Sequence, residues 1–243
     1  MADRFRLIHF KSGDSERISG QPQFGHRFEE ERRKEKAPRF DHQPDTFSFQ
    51  TTLNQLKADL RHGDPQVRVL ALRYLEQLEP ATALPFLQEA LSDQDGIVRA
   101  QAVRSLSRLR TLEATPLLKK GLRDPDPEVR MGALRGLFLS GERLDQHLLL
   151  QLLSDESPWV RRKLATLLGW YRTEGSLPVL TQMAKDPEAK VRKAALISLV
   201  ALYPEEGKDW LFQAYRDEDQ EIRLWAKKAL EKWMMRTKGK SSS

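Results

Sequence analysis

The chain has no cysteine among its 243 residues. That excludes a disulfide framework, a thiolate metal site and a cysteine nucleophile together. Also missing is any uncharged apolar run near the roughly 20 residues needed to span a bilayer. Stretches such as Ala194 to Pro204 are short and fit a buried helix. The beginning, Met1-Ala2-Asp3-Arg4-Phe5-Arg6, lacks the apolar core of a secretory signal. No phosphate-binding Gly-rich loop, metal-ligand spacing or nucleophile elbow appears. These absences lead to the expectation of a cytoplasmic protein that is not an enzyme and carries no cofactor and no metal.

An excess of positive charge exists but is thin. The net charge is +6. Residues 1–50 hold 10 basic and 9 acidic groups, and Arg236, Lys238 and Lys240 add three bases near the end, which leaves +2 for the rest. A charge this dilute describes a solvated surface unless it is concentrated on one face.

What the sequence does have is a period. Val67-Arg68, Val98-Arg99, Val129-Arg130, Val160-Arg161, Val191-Arg192 and Ile222-Arg223 follow one another at intervals of 31 residues. A fixed period of this length marks a stack of identical supersecondary units. Such a stack offers an extended surface rather than a closed pocket.

Each unit reads as two helices. In the third, Leu118 and Leu122 mark one helical face, and Val129, Ala133 and Leu137 repeat the four-residue step on a second helix. Between them, Asp126 is placed to cap free amides of the second helix, and Pro127 falls where a missing N–H costs nothing. Asp64-Pro65 and Ser157-Pro158 repeat that arrangement. Pro85, Pro116 and Pro178 share one position, expected in the first turn of the first helix. Counting from the Val, residues are apolar at −11 (Leu56, Leu87, Leu118, Leu149, Leu180, Leu211), at +4 and at +8 in every unit. Alanine dominates +4, which allows the two helices to approach closely. Position +5 is apolar in five units and Lys227 in the last, while −12 is apolar in five and Gln55 in the first. Polar residues at the two outer surfaces are what terminal units need, so six repeats are expected, spanning 51–235.

Five units carry Asp five residues before the Val; the first has His62 there. Arg at +1 is therefore expected to bond the Asp of the next unit: Arg68 with Asp93, Arg99 with Asp124, Arg130 with Asp155, Arg161 with Asp186, and Arg192 with Asp217. Arginine can hold a carboxylate through two parallel bonds.

The pattern Leu-x-Asp-x-Asp-x-x-Val-Arg-x-x-Ala-x-x-x-Leu resembles a HEAT-like repeat, and most closely the short repeats named after phycocyanobilin lyase subunits. The resemblance covers residues 51 to about 235. It implies an all-α, right-handed α-solenoid of six helix-turn-helix repeats and, usually, a binding scaffold. Some relatives are chromophore lyase subunits, and others are metal-dependent hydroxylases that use His-Glu pairs. None of His9, His26, His42, His62 and His147 precedes a Glu, so the resemblance carries neither chemistry over.

In the resembling fold, positions +2, +3, +6, +9 and +10 of the second helix line a concave groove. They hold nine bases, Arg73, Arg104, Arg108, Arg135, Arg162, Lys163, Lys193, Lys228 and Lys232, against two acids, Glu76 and Glu231. Phe138, Trp170 and Trp225 fall on the same face. Arginine with aromatics is the composition of interface hot spots. Two readings stand: a solvated face without ligand, or a groove that binds an acidic protein segment.

Residues 1–50 contain seven of the ten phenylalanines amid polar and charged residues, including Phe47 and Phe49. They read as a flexible, largely irregular arm whose Phe5, Phe10, Phe24 and Phe28 could anchor a partner. Residues 236–243 read as a disordered basic tail. The function expected is an interaction scaffold, adaptor or assembly factor with another protein as partner. Nucleic-acid binding, including the DNA-repair glycosylase type, and a bilin-lyase-like subunit or chaperone are the alternatives. The oligomeric state is open.

Overall fold

The computed structural model describes residues 46–240 except 143, 174 and 205, with side chains described from 50 to 234. The chain divides into two bodies, 1–50 and 51–243. The four phenylalanines expected as arm anchors lie outside the described residues.

Among the described residues there are twelve helices and no strand. In order they are α1 (Thr46–Asp59), α2 (Pro65–Leu75), α3 (Pro80–Ala90), α4 (Gly96–Leu109), α5 (Ala114–Gly121) and α6 (Pro127–Leu139). Then follow α7 (Gln146–Leu153), α8 (Pro158–Trp170), α9 (Ser176–Met183), α10 (Ala189–Leu202), α11 (Gly207–Tyr215) and α12 (Gln220–Lys240). Odd and even helices alternate as the first and second helix of six repeats, which stack into an α-solenoid. No helix among the described residues is long and apolar enough to cross a membrane.

The turn inside each repeat is set by short-range chemistry. Asp64, Asp95 and Asp126 have extended backbone, and their carboxylates accept the N–H of Gln66, Ile97 and Glu128. Each such cap contributes about 1 kcal/mol. Ser157 stands at the same place without a side-chain cap bond. The core is one continuous stack. Leu56, Leu87, Leu118, Leu149, Leu180 and Leu211 are all buried, as are Leu75, Leu106, Leu137, Leu168 and Leu199. Each buried leucine contributes about 2 kcal/mol relative to exposure. Gln55 and Lys227, at the two outer surfaces, are exposed.

Adjacent second helices approach closely where their facing residues are small. Ser107 bonds the Val103 carbonyl at 2.8 Å, beside Gly136 of α6, and Ser198 donates to the Ala165 carbonyl of α8 at 2.9 Å. A Cβ on Gly136 would lie 2.3 Å from Ser107 Oγ, and one on Gly169 would lie 3.2 Å from the Ser198 Cα.

Three boundaries differ from the sequence expectation. Pro85 lies inside α3, because Pro80 starts that helix a turn earlier. The carbonyl that Pro85 leaves without an N–H belongs to Ala81, an exposed residue. The last helix runs to Lys240 rather than ending at 235, since Met234, Met235, Arg236 and Lys238 are good helix formers and no breaker comes before Gly239. The first helix likewise begins at Thr46, inside the segment read as irregular.

Candidate interaction face

Two rows of cationic side chains run along the solenoid, and their surroundings separate them. The first row is Arg at +1, on the first turn of each second helix. Arg68 donates from Nε and a terminal nitrogen to Asp93 at 2.8 and 2.9 Å. Arg99 meets Asp124 at 2.8 and 3.0 Å, and Arg130 meets Asp155 at 2.9 and 2.9 Å. Arg161 meets Asp186 at 2.7 and 2.8 Å, and Arg192 meets Asp217 at 3.0 and 2.9 Å.

The remaining nitrogen of each guanidinium binds its own repeat. That of Arg130 donates to the carbonyls of Asp124 and Pro125, both at 2.9 Å, inside the turn that precedes α6. The other arginines do the same, Arg223 included. The aspartates are equally committed. Asp93, Asp124, Asp155, Asp186 and Asp217 each accept the backbone N–H two residues on. His62 substitutes in the first repeat, its Nδ1 accepting the N–H of Asp64 at 3.0 Å.

This double use of both partners has an electrostatic signature. The carboxylate bonds outweigh desolvation and lift the guanidinium pKa of Arg99, Arg130, Arg161 and Arg192. Burial alone would raise Asp186 and Asp217. Bonds from Arg161 and Arg192, and from the Glu188 and Asp219 amides, hold both carboxyls below the usual range instead.

The second row lies on the exposed side of the second helices. Arg73, Arg104, Arg108, Arg135, Arg162 and Lys228 are exposed; Lys163 and Lys193 are half-buried. The neighbours differ at every step. Glu76 accepts from Ser105 at 2.7 Å, from Gln101 at 3.1 Å and from Arg108, tying the first repeat to the second. Gln101 and Ser105 are buried. Arg104 also reaches Gln101, at 3.4 Å. Lys193 pairs with Glu221 at 3.2 Å. Lys163 sits near both Arg135 and Arg162; burial first, then those two charges, push its ammonium below the ordinary lysine range, with only Glu128 opposing.

The aromatics divide too. Phe138 is buried, its ring 5.3 Å from that of Tyr171, and so belongs to the core rather than the face. Trp225 is half-buried against the core. Trp170 is 54 % exposed. Trp159, one residue before the periodic Val160, is 52 % exposed and stands outside the face positions expected from the period. Arg162 and Lys190 stand 5.9 and 5.3 Å from its ring centroid.

The chain resembles one member of the CpcE and CpcF complex of phycocyanin lyase from Nostoc sp. PCC7120. There the identity is 21 %, the TM-score 0.52, and the coverage 79 % of this chain and 78 % of that one. It also resembles YibA of E. coli, with 18 % identity, a TM-score of 0.55, and coverage of 77 % and 75 %. No curated protein matches. The family model for HEAT repeats matches residues 53–137 and 146–232, most of the solenoid. With six two-helix repeats stacked in register and that match over more than half its length, this chain belongs to the HEAT-repeat family.

Proposed function

We propose that this HEAT-repeat protein is a non-enzymatic, cytoplasmic scaffold whose exposed second-helix face forms a basic groove for an acidic segment of another protein. One observation carries the reading: nine bases face two acids there, and one of the two, Glu76, is already bonded by three side chains of the second repeat. The row Arg73, Arg104 and Arg135 repeats once per unit, a layout suited to carboxylates strung along an extended chain. Exposed Trp159 and Trp170 supply apolar area beside it. Duplex-length contact with nucleic acid would call for a stronger field than the repeats' +2.

The test uses a fluorescein-labelled polyglutamate peptide and fluorescence anisotropy at low salt. Arg104→Glu with Arg135→Glu should weaken binding at least about tenfold while leaving helicity and melting unchanged. Unchanged affinity, or no binding to the parent chain, overturns the reading. So does an oligothymidylate of equal length that binds more tightly than the peptide.

A further inference from the structure

We propose that one face of α4 is a binding site for a carboxylate of the partner segment, which Glu76 fills in the free chain and yields when the segment docks. This rests on the reading of the second-helix face as an acidic-segment groove and adds how one place in it is regulated.

The site is built by helical spacing. Gln101, Arg104, Ser105 and Arg108 stand at i, i+3, i+4 and i+7 and so share one face of α4. Three of them converge on the Glu76 carboxylate. Ser105 Oγ donates to one oxygen at 2.7 Å and Gln101 Nε2 to the same oxygen at 3.1 Å, while a terminal nitrogen of Arg108 donates to the other. The Gln101 amide is itself oriented, donating to Ser105 at 3.2 Å and accepting from Arg104 at 3.4 Å. Gln101 and Ser105 are buried, whereas Arg104 and Arg108 are exposed. Neutral donors thus form the floor of the site and guanidinium groups its mouth, a set suited to one carboxylate.

Stacking of the repeats does not demand an acid here. In the four internal repeats the position of Glu76 is held by Ser107, Phe138, Gly169 and Val200, and those junctions close without a carboxylate. Glu76 is also the C-cap of α2, where the helix dipole disfavours negative charge. Its side chain is only 12 % exposed, so desolvation adds to that cost. The three bonds offset both. Because Glu76 ends its helix and exposed Gln77 follows, a side-chain rotation takes the carboxylate to water. An acid carried by the chain itself has a high effective concentration, so one isolated carboxylate does not displace it. A segment that meets Arg73 and Arg104 at the same time does. Glu76 is therefore a built-in competitor that selects acidic runs over single acids.

The experiment uses the full chain and the fluorescein-labelled polyglutamate peptide, read by anisotropy at low salt. Glu76→Gln keeps the shape of the side chain, removes its charge and should tighten binding about tenfold. Glu79→Gln removes the same charge from an exposed acid three residues on that makes no side-chain cap bond, and should change affinity by less than about twofold. Adding Arg108→Ala to Glu76→Gln should abolish the gain. In the parent chain, saturating peptide should move the carboxyl carbon resonance of Glu76 to that of a solvated glutamate, a readout independent of how the variants fold. No gain in Glu76→Gln, a gain shared equally with Glu79→Gln, or a Glu76 resonance unmoved by bound peptide overturns the exchange and leaves the acidic groove standing. Binding by Glu76→Gln with none by the parent overturns the groove as a site of the unaltered chain and leaves the blocked carboxylate site standing. Failure of both to bind overturns both. Oligothymidylate that moves the Glu76 resonance at lower concentration than the peptide overturns the carboxylate assignment in favour of nucleic acid.

Discussion

In the first three repeats an arginine stands at both +1 and +6 of the second helix, at one spacing, yet the two rows do different work. At +1 the first five arginines each meet the same four kinds of acceptor atom: two carboxylate oxygens of the next repeat and two carbonyls of their own turn. At +6 the arginines are exposed and their surroundings change from repeat to repeat. The difference lies in the partner. An aspartate recurs at the same interval as the first row, so an arginine and an acid are offset by a constant 25 residues and always arrive together. The acids that bond cations of the second row, Glu76 with Arg108 and Glu221 with Lys193, stand at unequal offsets of 32 and 28 residues. Periodicity of one residue marks geometry; periodicity of a complementary pair marks a bond.

The sharpest way to break this contrast is to remove one member of the first row. Arg130→Ala strands Asp155, whose side chain is 9 % exposed, and frees two turn carbonyls. Loss of about 3 kcal/mol is expected, read as a lower denaturant midpoint, because an uncompensated part-buried charge costs more than the pair contributes. A loss below about 0.5 kcal/mol would put both rows in the same class.

A second, smaller effect sharpens the role of backbone spacing on the exposed side. Helix propensity alone predicts that Gly169→Ala stabilises α8 by about 1 kcal/mol. The close Ser198 backbone reverses the sign, and a net loss of about 1–2 kcal/mol is expected from overpacking. A higher melting temperature would show that α8 and α10 separate without penalty.

Acid separates the rows by a different route. The folded carboxyls of Asp186 and Asp217 are held low, so their contribution is complete above the unfolded value of about 3.9 and is lost as pH falls through the folded value. Urea midpoints should therefore fall steeply below about pH 4 in the parent chain. Asp186→Asn with Asp217→Asn should start lower and fall less over the same window. Parallel curves for the two proteins would remove the ladder from the acid response. The smallest effect belongs to the second row: Arg104→Ala should change stability by less than about 0.5 kcal/mol, measured by the same denaturation, since an exposed arginine with one long contact holds little together.

How far the sequence reaches follows from the same contrast. The helix pairs, the buried leucines, the aspartate caps and the polar outer surfaces were legible because each depends on residues within one repeat or on a fixed offset to the next. The Glu76 cluster was not. It needs the axial shift between α2 and α4, which a 31-residue period does not specify. The signal in the sequence is faint: the other repeats place Leu70, Gly132, Lys163, Ala194 and Trp225 where Gln101 stands, and Ser198 repeats Ser105. Phe138 was assigned to the exposed side by angle alone and is buried because Tyr171 closes over it from the next repeat. Trp159 is not among the expected face residues because it stands one residue ahead of Val160, from which those positions are counted. The end of α12 was set by the last periodic residue, although nothing in Met234 to Lys238 stops a helix.

The polar edge also has a direction. Arg223 grips two carbonyls of its own turn, and His62 takes the aspartate's place in the first turn. Every internal repeat brings one donor and one acceptor of the same chemistry. Duplication or loss of an internal repeat therefore leaves every remaining pair matched. The edge behaves like the coupling of a train, which fixes how carriages join without fixing how many there are.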